Sequence, residues 1–179
     1  MSMYTDYLET PLGLMECKAS DSGIRQLIFC GSDKGVESAN NVTDDCKVQL
    51  LEYFNGSRQG FDLPIDAQGT NFQKAVWQCL SQIPFGQTVT YADIAKMVNK
   101  PKGAQAVGGA NGRNPISIIV PCHRVIGANG SLTGYAGGLE RKLWLLQHED
   151  IDIKQSISQS YSDVGSIISK RQAKTQFLD

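Results

Sequence analysis

The sequence predicts a protein of mixed α/β (α+β) class, in which a small sheet-plus-helix module precedes a helical module. Three observations indicate this: short β-branched runs between turn residues near the start, apolar residues at helical spacing further on, and a change of charge between the two parts. Residues 1–69 carry eleven acidic and five basic side chains, whereas residues 70–149 carry three acidic and eight basic ones. We therefore divide the chain into a scaffold module (1–69), a basic module (70–149) and a tail (150–179).

The scaffold module is expected to contain a three-stranded meander and one helix. Strands at 4–9, 14–19 and 24–30 are separated by Pro-Leu-Gly and Asp-Ser-Gly turns. A helix over 44–55 begins with two acidic residues and is followed by glycine, as the helix dipole and C-terminal capping favour. Residues 61–65 have the composition of a further strand.

The basic module is expected to be mainly helical. Thr70 and Gln73 fit a capping box at the start of its first helix, and the last helix spans 139–148. Between them, a helix that begins at Thr90, a break at Pro101-Lys102-Gly103 and a helix over 104–113 form a helix-turn-helix. A basic module of this kind is suited to a polyanion such as DNA.

The helix over 104–113 has an unusual composition for a DNA reader. Its sequence, AQAVGGANGR, consists mainly of alanine and glycine and offers few long polar side chains to base edges in the major groove. Small residues let a helix backbone approach the narrow minor groove, where reading is nearly independent of sequence. The alternative is close packing against the protein's own sheet, with Gly108 and Gly109 at the contact.

A candidate nucleophile follows the apolar run ISIIV at 116–120. The run has the composition of a buried strand, and it stops at Pro121, directly before Cys122, His123 and Arg124. A thiol beside an imidazole and a guanidinium is the setting in which a cysteine pKa falls towards neutrality and gives a thiolate. The alternative is a cysteine used only for packing, because free cysteines are often buried.

Composition excludes several classes of protein. Five cysteines without a CxxC pair argue against a disulfide framework and indicate a reducing compartment. Two histidines cannot form a multi-histidine metal site, and no ligand spacing supports zinc at Cys17 or Cys30. The chain has neither a signal peptide nor an apolar run that could span a membrane. We therefore expect no metal site and no membrane association.

Three segments closely resemble the O6-alkylguanine-DNA alkyltransferases: FQKAVWQCLSQIPFGQTVTYADIA, AVGGANGRNP and NPISIIVPCHRVIGANGSLTGYAGGLERKLWLLQHE, with PCHRV the most specific part. The resemblance is strong over 72–149, weak over 4–65 and absent over 150–179. It implies a ribonuclease H-like roll followed by a winged helix-turn-helix. It also implies direct, irreversible transfer of an alkyl group from O6-alkylguanine, and also O4-alkylthymine, in double-stranded DNA to Cys122, without a cofactor.

The resemblance also implies roles for individual residues. Cys122 matches the alkyl acceptor, and His123 matches a general base that takes the thiol proton through a water. Glu149 matches the carboxylate that orients this histidine. Asn114 matches an asparagine that holds the turn between recognition helix and active site. Tyr91 matches a tyrosine that crowds the phosphate of the flipped nucleotide and donates to its base.

The remaining positions concern the pocket and the DNA. Gln105 stands where the family usually has an arginine finger that enters the base stack, so we expect weaker duplex binding and base flipping. The predicted pocket residues are Val125, Tyr135, Ala136 and Gly137. The predicted DNA contacts are Ala104, Gln105, Ala106, Gly108, Gly109, Asn111, Arg113 and Arg124.

Two other functions fit part of this pattern. Alkyltransferase-like proteins bind the lesion without repairing it, but they lack the cysteine; Gln105 leaves room for impaired repair. A Cys-His hydrolase would turn over an ester or peptide, but it needs neither a helix-turn-helix nor a basic module. We expect a monomer with no obligate protein partner. It should act in the cytoplasm with the nucleoid in a bacterium or archaeon, and in the nucleus of a eukaryote.

Overall fold

The computed structural model describes residues 1–153, so the predicted tail lies, from residue 154 onward, outside the described residues. Five strands, five helices and a 3₁₀ turn at Cys122–Arg124 make up this part of the chain, and the predicted mixed α/β class is confirmed. In chain order the elements are β1 (Tyr4–Thr10), β2 (Gly13–Ala19), β3 (Ile24–Phe29), α1 (Asn41–Asn55), α2 (Asn71–Leu80), β4 (Val89–Thr90), α3 (Tyr91–Met97), α4 (Ala104–Gly112), β5 (Val125–Ile126) and α5 (Leu139–His148).

The scaffold module is a meander covered by one helix. Strands β1, β2 and β3 pair antiparallel in that order, and α1 packs against β1 and β2. Gly13 adopts φ of 117° in the first turn, a conformation that glycine reaches without a steric penalty. The buried face of α1 carries Cys46, Leu50, Tyr53 and Phe54, so this helix supplies much of the core beneath the sheet.

Two elements of the scaffold module differ from expectation. Helix α1 begins three residues earlier than the acidic pair suggested, because Asn40 and Thr43 form a capping box in which each side chain accepts from the other's backbone N–H at 2.9 Å. The predicted strand at 61–65 is reduced to a single bridge between Ile24 and Ile65. Pro64 lacks an N–H for ladder pairing, which accounts for this limit.

The predicted helix-turn-helix is formed by α3 and α4, and α2 packs across α4. The indole Nε1 of Trp77 donates to the carbonyl of Ala110 at 2.9 Å, which fixes α2 on the glycine-rich helix. A Cβ on Gly108 would lie 3.9 Å from the ring of Tyr91, at the contact between α3 and α4. The small residues of α4 therefore allow close packing against helices rather than against the sheet. Within the described chain, no helix has the length and apolarity needed to cross a bilayer.

The apolar run at 116–120 is not a strand, contrary to expectation. Only Ile116 forms a bridge, with Leu27, and the chain then turns through Ile118 at φ of 72°. The side-chain amide of Asn114 donates to the carbonyls of Ile116 and Val120, at 3.2 and 2.8 Å, and closes the segment into a compact turn. Burial of Ile116, Ile118 and Val120 in the core, rather than pairing in a sheet, explains the apolar composition.

Candidate active site

A tight turn at Pro121 places Cys122 inside the protein. Pro121 has φ of −82° and ψ of 63°, an inverse γ-turn in which the Cys122 N–H donates to the Val120 carbonyl at 2.8 Å. The side-chain amide of Asn111, on α4, donates to the Cys122 carbonyl at 3.4 Å. The thiol residue is only 3% exposed, so the basic module holds it inside rather than at the surface.

The expected lowering of the cysteine pKa is wrong. Burial raises the pKa of the Cys122 thiol, and the opposing effects of the Asn114 hydrogen bond and the Lys142 charge do not overcome it. The guanidinium of Arg124, which the sequence placed beside the thiol, is bonded to Glu149 instead. Cys122 is therefore a neutral thiol at neutral pH, and its use as a nucleophile requires a base.

His123, the next residue, is the predicted base. Its Nε2 lies 2.6 Å from Oε2 of Glu149, and both side chains are fully buried. Burial lowers the pKa of His123 despite the favourable carboxylate, so the imidazole is neutral at pH 7. The Nε2–H then donates to the carboxylate, and Nδ1, which has no hydrogen-bond partner among the described residues, is the basic nitrogen.

Glu149 is an ionised carboxylate inside the protein. Burial acts to raise its pKa, but hydrogen bonds and charges from His123 and then Arg124 outweigh burial and hold the pKa well below its usual range. Arg124 donates from Nε to Oε1 at 2.6 Å and from Nη2 to Oε2 at 3.1 Å, a bidentate pair. A third hydrogen bond, from Nη1 to the Ile83 carbonyl at 2.6 Å, also holds the guanidinium in place.

Two predicted DNA contacts are therefore corrected. Arg124 is only 5% exposed and is directed inward to Glu149, because the end of α5 brings a carboxylate beside the 3₁₀ turn. Asn111 is 4% exposed and is directed at the Cys122 carbonyl, because it lies on the face of α4 that packs inward. The other predicted contacts are exposed or half-buried on or just after α4: Ala104, Gln105, Ala106, Gly108, Gly109 and Arg113.

Sequence reasoning missed Tyr53, which belongs to the scaffold module. Its hydroxyl donates to Oε2 of Glu149 at 2.7 Å, across 96 residues of sequence. Its carbonyl is 2.6 Å from Nε2 of His148, the residue before Glu149. The only signal in the sequence was a tyrosine on the apolar face of α1, since a buried phenol requires a polar partner.

Lys142 was also missed. This fully buried lysine donates to the carbonyls of Val125 and Thr133, at 2.6 and 2.8 Å, and so joins β5 to the segment before Tyr135. Burial lowers the pKa of Lys142 to about 8, and its charge favours the thiolate form of Cys122. A lysine among the leucines of α5 was the available signal, because buried lysines need partners.

A cavity of about 670 Å³ opens between α3, α4 and the segment 133–136. Two of the predicted pocket residues line it: Tyr135, which is buried, and Ala136, which is exposed. Tyr91 faces them, and its hydroxyl accepts a hydrogen bond from Oγ1 of Thr133 at 2.8 Å. The cavity is lined by Tyr91, Ala92, Ala104, Gln105, Gly108, Gly112, Ala128, Thr133, Gly134, Tyr135 and Ala136.

The two other predicted pocket residues are not among those that line the cavity. Val125 is buried in the core, and its carbonyl accepts a hydrogen bond from Lys142. Gly137 lies where a Cβ would be 2.8 Å from the ring of Tyr135 and 3.1 Å from that of Phe29, so the backbone passes close to both. Among the described residues, no group of three His, Cys, Asp or Glu side chains could hold a metal ion.

Replacement of Tyr53 by phenylalanine should destabilise the protein by about 2 kcal/mol, because it removes a charge-assisted bond to a buried carboxylate. Chemical denaturation monitored by circular dichroism measures the change. Tyr4→Phe is the matched control, since Tyr4 makes an exposed bond of 2.9 Å to Asp21, and should cost under about 0.5 kcal/mol. Equal effects of the two substitutions would contradict the special weight given to Glu149.

The raised pKa of Cys122 predicts a high midpoint for its reaction with a small alkylating reagent. The rate at Cys122, followed by peptide mass spectrometry from pH 6 to 10, should rise with a midpoint above the roughly 8.5 of an unperturbed thiol. The unfolded protein in denaturant is the control, because Cys122 there should titrate normally. A midpoint near or below pH 7 in the folded protein would mean that a thiolate is the resting form.

Two family models match the chain. The ribonuclease-like domain of 6-O-methylguanine DNA methyltransferase matches residues 3–67, and the DNA-binding domain of the same proteins matches residues 71–151. The roll and the DNA-binding fold implied by the resemblance are thus confirmed.

Relatives and solved structures indicate the same family as the two family models. The methylated-DNA–protein-cysteine methyltransferase of Methanosarcina barkeri is 43% identical over 158 residues, 85% of this chain and 100% of that protein. The inducible one of Bacillus subtilis is 53% identical over 145 residues, 72% and 81% of the two chains. The crystal structure of Mycobacterium tuberculosis OGT in complex with DNA has 41% identity and a TM-score of 0.74, and the match covers 80% of this chain and 90% of that one. This chain belongs to the methylated-DNA–protein-cysteine methyltransferase family.

Proposed function

We propose that this protein repairs DNA by direct, stoichiometric transfer of an alkyl group from O6-alkylguanine, and also O4-alkylthymine, to Cys122. The observation that carries the proposal is the neutral thiol of Cys122 beside a neutral His123. The Nε2 of this histidine is hydrogen-bonded to the ionised Glu149. A nucleophile, a base and a carboxylate that orients the base are the three groups of a catalytic triad. The family to which the chain belongs supports the same reaction.

Transfer begins when Nδ1 of His123 takes the thiol proton, through a bridging water, as Cys122 attacks the alkyl carbon in line. The S–C bond forms, the C–O6 bond breaks, and the bonding electron pair leaves with guanine. Glu149 stabilises the imidazolium that results. The departing guanine anion takes a proton from the hydroxyl of Tyr91, and solvent then reprotonates the phenolate. This hydroxyl accepts from Thr133, so its own proton is free to be donated. Because a thioether does not hydrolyse, each molecule reacts once.

The substrate base must leave the duplex to reach the cavity between α3, α4 and residues 133–136. Tyr91 and Tyr135 line this cavity, and burial, followed by the charge of a Cys122 thiolate, raises the pKa of both phenols. The thiol of Cys122 is thus electrostatically coupled to two phenols that line the cavity. The exposed small residues of α4 would approach the minor groove.

The partner is double-stranded DNA that contains the alkylated base, and the protein acts on it as a monomer without an obligate protein partner. The basic module carries a net charge of +5, which suits the phosphate backbone. In a bacterium or archaeon the protein would work at the nucleoid in the cytoplasm, and in a eukaryote in the nucleus.

Intact-mass and peptide mass spectrometry after incubation with duplex DNA containing O6-methylguanine tests the proposal. One methyl group per molecule, located on Cys122 and absent from Cys122→Ala, is the expected result. Binding of the lesion without added mass would instead make the protein a lesion-binding relative. Repeated turnover of an ester would favour a hydrolase.

Gln105 predicts a specific weakness in this protein. It is exposed at the cavity, where it can fill space in the base stack but has neither charge nor a guanidinium plane. Gln105→Arg should accelerate methyl transfer from duplex DNA about tenfold, equivalent to roughly 1.4 kcal/mol, and leave reaction with free O6-benzylguanine unchanged. Single-turnover rates measure both reactions.

The control for this substitution is Gln59→Arg, which adds the same charge at an exposed glutamine of the scaffold module. Equal acceleration by both variants would mean that charge alone, rather than insertion into the base stack, limits the reaction. No acceleration by Gln105→Arg would show that glutamine fulfils the role of the arginine.

A further inference from the structure

One wall of the cavity is a segment with little rigidity of its own. The wall segment, residues 133–138, contains Gly134, Gly137 and Gly138, and Gly138 adopts φ of 91°. Its internal bond is a turn in which the Gly138 N–H donates to the Tyr135 carbonyl at 2.8 Å. Three glycines in six residues give a backbone with wide conformational freedom, so its shape depends on what holds it.

Lys142 and Tyr91 bond to the start of this segment at Thr133, and the guanidinium of Arg141 bonds near its end. It donates from Nη1 to the Gly137 carbonyl at 3.1 Å and from Nε to the Leu12 carbonyl, in the turn between β1 and β2, at 3.0 Å. The same group lies over the ring of Phe29, at the end of β3, with 4.3 Å between Cζ and the ring centroid. Arg141 thus joins the wall segment to two elements of the scaffold module.

The surroundings of the guanidinium are closely packed. A Cβ on Gly13 would lie 3.2 Å from Nη2, so a glycine at the β1–β2 turn leaves space for the arginine. Phe29 also contacts the wall segment directly, since a Cβ on Gly137 would be 3.1 Å from its ring. The planar fork of an arginine suits this position, because it bonds two carbonyls and stacks on a ring at once.

We propose that Arg141 is a positioning residue that fixes the wall segment against the scaffold module and thereby sets the size of the alkyl group that the cavity admits. This inference rests on the proposed function. Residues 133–136 line the cavity, so their position decides how much room remains beside the flipped base. A fixed wall holds a small substrate in line with the thiol, whereas a loose wall can withdraw from a large one.

The chemical test compares wild type, Arg141→Met and Arg141→Lys in single-turnover transfer from duplexes that contain O6-methylguanine or O6-benzylguanine. Methionine keeps the apolar stem, and lysine keeps the charge but not the fork. We expect methyl transfer to slow about fivefold in Arg141→Met and benzyl transfer to slow less, so that the benzyl-to-methyl ratio rises about threefold or more. Arg141→Lys should change the ratio in the same direction by less.

A second readout does not depend on alkyl transfer. Hydrogen exchange at the amides of residues 134–138, measured by mass spectrometry, should quicken about tenfold in Arg141→Met. The matched control is Arg58→Met, because Arg58 also donates to a backbone carbonyl, that of Gly60, at 3.0 Å, in the scaffold module. This control should leave both the ratio and the exchange of the wall segment unchanged.

Each outcome decides the matter. A raised ratio together with faster exchange, confined to the Arg141 variants, supports the proposal. Unchanged exchange, an unchanged ratio or an equal effect of Arg58→Met overturns it, and should Arg141→Met fail to fold, Arg141→Lys decides by the same two readouts. Absence of any transfer by wild type would overturn the proposed function and the role in substrate size, while the exchange data would still test the tether by itself.

Discussion

The carboxylate of Glu149 is the charge on which the rest of the structure depends. It is buried at the end of α5, where an unpaired carboxylate would cost several kcal/mol. Four residues from three parts of the chain bond to it: His123 and Arg124 in the 3₁₀ turn, Tyr53 in α1 and, at 3.4 Å, the N–H of Gly86. Glu149 is therefore bonded by side chains of both the scaffold module and the basic module.

The protonation states of the site at rest differ from those in the proposed reaction. Burial keeps the imidazole of His123 neutral and the thiol of Cys122 protonated, while Glu149 is ionised and paired to Arg124. In the proposed reaction a proton moves from sulfur to His123, and the new imidazolium faces a carboxylate that needs no reorientation. Preorganised charge of this kind is the main means by which buried sites stabilise developing charge.

The residues of the PCHRV motif also shape the fold around the site, which their residue types alone do not reveal. The proline makes the turn that presents Cys122, and the arginine neutralises Glu149 instead of meeting DNA. Asn114 also shapes this region, because its side-chain amide closes residues 116–120 into a compact turn. The motif and its flanks are thus a folding unit as much as a set of reacting groups.

The scaffold module participates in the site at two places. Tyr53 reaches the carboxylate from beneath, and the β1–β2 turn reaches the wall segment through Arg141. The cavity lies in the basic module, yet a part of its wall is bonded to the scaffold. Arg141 thus bonds the wall segment and the scaffold module at the same time.

The sequence by itself determined the features that local rules control. The helix at 139–148 and the capping box of Thr70 and Gln73 were predicted as the structure has them, because caps and apolar periodicity act within a few residues. The pentapeptide PCHRV and the resemblance that continues to residue 149 also indicated the family and the candidate nucleophile, base and carboxylate.

Only the tertiary structure decided the features that depend on distant partners. The run at 116–120 has strand composition, but the amide of Asn114 and burial gave it another shape. The pKa of Cys122 rose because burial outweighed the nearby charges, and burial is a property of the whole fold. Contacts such as Tyr53 with Glu149, 96 residues apart, follow from packing and leave no periodic pattern in the chain.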